Sequence, residues 1–137
     1  MTLLVNRFSA NHQLTLGRGD TLALAVESLG SLASIDDLWF CVKKYQSDTD
    51  TEAEILIGQV DGLISIAGAA AGTPANGSIV VDDAVAGDIT VNLTAEEMAK
   101  LDRFNGYWDV QSQTGASIAT LRRGNARVLG DATRRIT

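Results

Sequence analysis

One histidine, His12, and one cysteine, Cys41, set the ceiling on the chemistry of this chain. A Ser/His/Asp or Cys/His site needs a base to take the proton from its nucleophile, so such a site could be built only around His12. His12 begins an alternating run without an obvious partner and reads as a surface histidine. A histidine-based metal cluster is excluded, because such a site draws several ligands from His and Cys. Neither a glycine loop with its phosphate-binding lysine nor a Cys-x-x-Cys pair occurs. Carboxylates are plentiful, but two acids without a fold-specific spacing do not make a hydrolase. The expectation is a protein that is not an enzyme and carries no cofactor.

Three short motifs invite chemistry and have simpler explanations. Arg18-Gly19-Asp20 spells a receptor-recognition tripeptide, yet it lies between two alternating runs, where Gly supplies the awkward dihedral and Asp bonds a neighbouring amide. Asp48, Asp50 and Glu52 alternate as calcium ligands do. The glycine and distal bidentate Glu of the twelve-residue calcium loop are missing, so solvated loop acid is the reading. Asn76-Gly77-Ser78 and Asn92-Leu93-Thr94 fit the glycosylation pattern, but no secretory signal precedes them and each residue already has a local role.

The arginines are the remaining candidates. Residues 1 to 100 hold 5 Lys and Arg against 14 Asp and Glu, whereas residues 101 to 137 hold 6 against 3. No Lys or Arg occurs between Tyr45 and Ala99. With a net charge of −6 and no concentrated basic face, nucleic acid is not the expected partner. Arg122, Arg123, Arg127, Arg134 and Arg135 gather near the C-terminal end as candidate interface residues. Arg122 and Arg123 are adjacent, so on a strand they point to opposite faces, and one could lie at a sheet rim. Two readings stand side by side. The arginines guard a solvated edge against stray pairing, or they contact an acidic neighbour through bidentate guanidinium pairs. A copy of the same chain is one such neighbour, since residues 45 to 99 carry the complementary sign.

The elements that must position these residues are strands. Leu14 and Leu16 share one face, and Leu22, Leu24 and Val26 share another beyond a turn at Gly17 to Asp20. Leu38, Phe40 and Val42 oppose Trp39, Cys41 and Lys43, as in a strand with one buried and one partly covered face. Asp61-Gly62 between apolar runs predicts a two-residue hairpin. Gly68 to Ser78 reads as a loop whose Asn76-Gly77 pair turns the chain into "IVVDD"; Ile89, Val91 and Leu93 then face one way. "LTAEEMAKL" predicts a short helix near 94–101, capped by Thr94, with Glu97 closing a capping box and Leu93 and Met98 as the hydrophobic staple. "YWDVQSQ" and "SIATLRRGNARVL" complete the sheet around Thr114-Gly115, with a bulge expected at Gly124. Eight or nine short strands at this spacing suggest an all-β, antiparallel two-sheet sandwich, with a barrel as the competing architecture.

At 137 residues the chain fits a single domain spanning 1–137, with arms over about 1–11 and 130–137. No stretch approaches the ~20 apolar residues of a membrane span, so no membrane association is expected. The lone cysteine and the lack of a leader segment point to synthesis in a reducing cytoplasm.

Taken in order, "RGDTLAL", "DLWFCVKK", "ITVNLTAEE", "GYWDVQSQTG", "TLRRGNARV" and the final "ATRR" resemble the immunoglobulin-like N-terminal domain of tailed-bacteriophage baseplate upper proteins, and small virion proteins that carry this domain alone. The likeness runs from about Gly17 to Arg135. It implies an immunoglobulin-like β-sandwich serving as a structural adaptor in a virus particle, at the tail, baseplate, neck or capsid exterior. The implied partners are other virion structural proteins, with this chain made in the host cytoplasm and present as a homo-oligomer or in multiple copies. The alternative from another class is a carbohydrate or cell-surface binding module, for which Trp39, Tyr45, Tyr107 and Trp108 would supply a stacking platform.

Overall fold

A computed structural model of the chain describes residues 3–4, 13–45, 48 and 52–129. Eleven strands and one short helix make up its regular structure, apart from a 3-10 turn at Pro74–Asn76. The strands are β1 (Leu3–Leu4), β2 (Leu14–Gly17), β3 (Thr21–Val26), β4 (Asp37–Lys43), β5 (Ile55–Gly58) and β6 (Gly62–Ile66). They continue with β7 (Ala69–Ala70), β8 (Gly77–Asp83), β9 (Asp88–Leu93), β10 (Phe104–Thr114) and β11 (Ser117–Leu129); helix α1 (Ala95–Met98) follows β9. A small sheet runs β1-β3-β9-β8 and a large one runs β2-β11-β10-β4-β5-β6-β7. The sandwich is therefore the architecture, and the barrel is not. The order β3-β9-β8 facing β11-β10-β4-β5-β6 follows the variable-type immunoglobulin sandwich, to which the short strand β7 adds an edge. Pairing is antiparallel throughout except where β1 meets β3 and β2 meets β11, both parallel.

Alternation decides what lies between the sheets. Leu14, Leu16, Leu22, Leu24, Val26, Phe40, Val42, Ile89, Val91, Leu93, Trp108 and Val110 are all buried in one cluster. Leu14–Leu16 and Leu22–Val26 are not a hairpin, because the turn between them hands the chain from the large sheet to the small one. Gly19 takes φ of 83° there. The Asp20 carboxylate occupies the space where a Cβ on Gly17 would stand, and Arg18 Nε donates to the Leu101 carbonyl at 2.6 Å. The Arg-Gly-Asp triplet thus serves as a sheet-switching turn.

Two local expectations are corrected by register. Gly58 pairs with Gly62, so the β5–β6 connection is the three residues Gln59 to Asp61, and the positive φ of 76° falls on Gly62. Asp37 Oδ1 holds that loop by accepting from Val60 N at 3.2 Å. The bulge in β11 is at Leu121: Val110 pairs with Arg122 and Gln111 with Thr120, leaving Leu121 as the extra residue. Gly124 instead pairs regularly with Trp108.

The helix forms where expected, but its capping box does not. Thr94 Oγ1 accepts from Glu97 N at 3.4 Å, and Leu93 and Met98 are both buried. Thr94 N is already bonded to the Asn76 carbonyl at 3.0 Å, so Glu97 has no donor to reach back to. Its buried carboxylate accepts from Asn76 Nδ2 at 2.8 Å and lies 2.7 Å from Lys100 Nζ. Those two partners, Lys100 first, hold the Glu97 carboxyl below its ordinary value against the opposing effect of burial. The pair pins the start of β8 to the helix.

Candidate functional site

Strands β4, β10 and β11 send alternate residues outward from the large sheet. On β4 these are Trp39, Cys41 and Lys43; cross-strand pairing places Gln111, Asp109 and Tyr107 beside them in that order. On β11, Arg123, Asn125 and Arg127 pair with Asp109, Tyr107 and Asn105. The Leu121 bulge shifts the alternation by one, so Ile118, paired with Gln113, also points outward. Without the extra residue, Ile118 would share the core-facing set of Ala126 and Val128.

Two shallow troughs adjoin on this face. The first, of about 360 Å³, has an apolar floor of Trp39, Cys41, Leu56, Ile64 and Ile118. Trp39 lies over Gly58, where an added Cβ would come within 3.2 Å of the indole. The second, of about 420 Å³, is lined by Lys43, Tyr107, Asp109, Arg123 and Asn125, and shares Cys41, Lys43 and Asp109 with the first. Cys41, Ala53 and Leu56 form a small buried cluster beneath Trp39 and Ile64, separate from the main core. Ile118 is 61% and Tyr107 39% exposed. At the head of β5, burial pushes the Glu54 carboxyl above its ordinary value; Lys44 opposes the rise, while Asp102 and Asp48 add to it.

The candidate arginines divide. Arg122 faces inward at the sheet rim: Nη1 donates to the Glu27 carbonyl at 2.7 Å and Nη2 to the Ser28 carbonyl at 3.1 Å. It ties the large sheet to the chain leaving β3, and its role is internal. Arg123 and Arg127 are exposed on the outward face; Arg123 pairs with Asp109 and lines the same trough as Lys43, a cation whose place on this face the alternation of β4 already signalled. Arg134 and Arg135 lie outside the described residues, as does His12. Of the candidate stacking platform, Trp39 and Tyr107 share the outward face, whereas Trp108 is 1% exposed and belongs to the core.

The other motifs are absorbed by the fold. Asn76 is committed to Glu97, and Asn92 Nδ2 donates to Ser78 Oγ at 3.4 Å. Asp48 Oδ2 accepts from Tyr45 N at 3.2 Å, while Asp50 lies outside the described residues. Among the described residues no cluster of three potential metal ligands occurs, and no helix is long and apolar enough to cross a membrane. No protein-family model matches the chain, and no curated protein matches it.

Proposed function

We propose that this protein is a non-enzymatic structural subunit of a tailed-phage particle, working by protein–protein contact at the tail, baseplate, neck or capsid exterior. The observation that carries the contact role is the outward face of the large sheet, with an apolar floor of Trp39, Leu56 and Ile64 beside Lys43, Arg123 and Arg127. Aromatic and arginine side chains in such a mixture are the groups that protein interfaces favour. The resemblance to phage baseplate domains supports the virion role. The segments that carry it fall on β3, β4, β9 with α1, β10 and β11, of which β4, β10 and β11 present this face. The test is quantitative mass spectrometry of purified particles of the encoding phage. A ratio near one to the major capsid protein identifies a shell-bound subunit, and a small fraction identifies a neck or tail subunit. Absence from the particles overturns the reading.

A carbohydrate or cell-surface binding module is the second reading, favoured by one observation: Trp39 and Tyr107 stand on the same outward face. Glycan-array binding that disappears in Tyr107→Ala would put it first.

A further inference from the structure

We infer that residues 134–136 of one copy of this chain dock in a groove at one end of a second copy, Ile136 covering its apolar floor and Arg134 and Arg135 meeting the carboxylates of its rim. The groove lies apart from the outward face of the large sheet, and its occupancy does not depend on the virion role.

The groove, of about 390 Å³, opens where the β3–β4 connection meets the β5–β6 and β8–β9 turns. Leu32, Ile35 and Val81 line it together with Val60. Val60 is 70% exposed and Val85, on the β8–β9 turn, 79%, more than any other large hydrophobic among the described residues. Both tips are held in place. Asp37 Oδ1 accepts from Val60 N at 3.2 Å, Asp83 Oδ1 accepts from Val85 N at 3.1 Å, and Leu32 N donates to the Ala84 carbonyl at 2.7 Å. Two aliphatic tips fixed in water beside an apolar floor contribute nothing to the core. A groove formed in advance does lower the ordering cost of an occupant.

Charge selects that occupant. Asp36 lines the groove, and Asp61 and Asp83 stand exposed at its two turns. No Lys or Arg occurs in residues 19–42 or 45–99, which supply the whole lining. Arg122, the candidate arginine nearest to this end in register, is engaged by the Glu27 and Ser28 carbonyls. The fitting partner is a short segment that joins an aliphatic side chain to guanidinium groups, which pair carboxylates bidentately. Arg134-Arg135-Ile136 is such a segment.

Reach assigns it to another copy. Asp36 N donates to the Gln113 carbonyl at 2.7 Å, and Gln113 pairs with Ile118, so Asp36 stands level with the start of β11. From Ile118 to Leu129 β11 runs roughly 35 Å at the rise of an extended strand, whereas Ile136 can stand at most roughly 25 Å from Leu129. The segment falls short of the groove on its own chain and is free to enter that of a neighbour. Segment and groove differ, so the contact is heterologous; repeated, it closes a ring or extends a filament.

Sedimentation of the full chain over a wide concentration range is the experiment. The mass should rise above the 14.5 kDa of one chain, and Arg134→Glu with Arg135→Glu should raise the concentration needed by tenfold or more. A chain ending at Gly130 and the Val60→Arg variant should each remain single. Neither change touches the core, and circular dichroism should show both folded. Mixed, the two should form a pair and nothing larger, because one keeps the groove and the other keeps the segment. A full chain of constant single-chain mass overturns the inference. So does association that survives the loss of residues 131–137, which would pass the contact to another surface, and so does a mixture that stays unpaired.

Discussion

Trp39, Lys43, Tyr107, Arg123 and Arg127 stand outward on the large sheet; Ala23, Ala25, Ser78, Val80 and Thr90 stand outward on the small one. Both sets arise from the same period of two, and both sheets bury aliphatic partners in one core. Folding requires only that outward positions tolerate water, and small polar residues suffice for that on the small sheet. A half-buried tryptophan over a glycine, a second apolar cluster and the exposed arginines Arg123 and Arg127 exceed that requirement. The difference separates residues that close the sandwich from residues left over for a partner.

Four perturbations would break or sharpen that contrast, beginning with the largest. Gly106 lies where β10 passes β4, and a Cβ there would strike the Lys43 carbonyl. Gly106→Val should cost on the order of 3 kcal/mol by overpacking and dismantle the large-sheet face, whereas Ala25→Val on the small sheet should change the urea midpoint little. Next, Arg122→Ala removes two hydrogen bonds from the large sheet to the chain leaving β3 and should cost about 1–2 kcal/mol in the same assay.

A smaller effect belongs to Glu97. Its folded carboxyl titrates below the ordinary value, so its stabilisation is complete above an unfolded value of about 4.3 and is lost as pH falls through the lower folded value. Glu97→Gln should flatten the acid limb of a stability–pH profile by about 1 kcal/mol. Amide exchange should quicken at the start of β8 before it does in β10. The smallest change is expected from Arg123→Ala, whose exposed side chain should leave stability within ~0.5 kcal/mol. A larger loss would mean that the outward cations serve the fold and would erase the contrast.

Most of the sandwich could be read from alternation. Leu38, Phe40 and Val42 against Trp39, Cys41 and Lys43 already separated core from outer face, and the Thr94 cap located the helix. Parity and competition were hidden. Gly124 looked like the bulge because glycine tolerates irregular backbone, yet it pairs regularly with Trp108, and the slip occurs at Leu121. Glu97 could not close its box because the Asn76 carbonyl, distant in sequence, had already taken the Thr94 amide. The face itself was half legible: arginines drew attention by number, but only strand register shows that Arg122 turns inward while Arg123 stands outward beside Asp109.

The parallel seam between β2 and β11 carries a consequence for synthesis. Leu14 pairs beside Ala126, so β2 leaves the ribosome well before the strand it pairs with. Until β11 arrives, β2 has no neighbour in the large sheet and β10 lacks one of its two, leaving open strand edges of the kind that recruit other chains. A chain halted at Gly115 should therefore aggregate rather than persist as a smaller sandwich, making the closing strand a checkpoint between an unfinished product and a usable one.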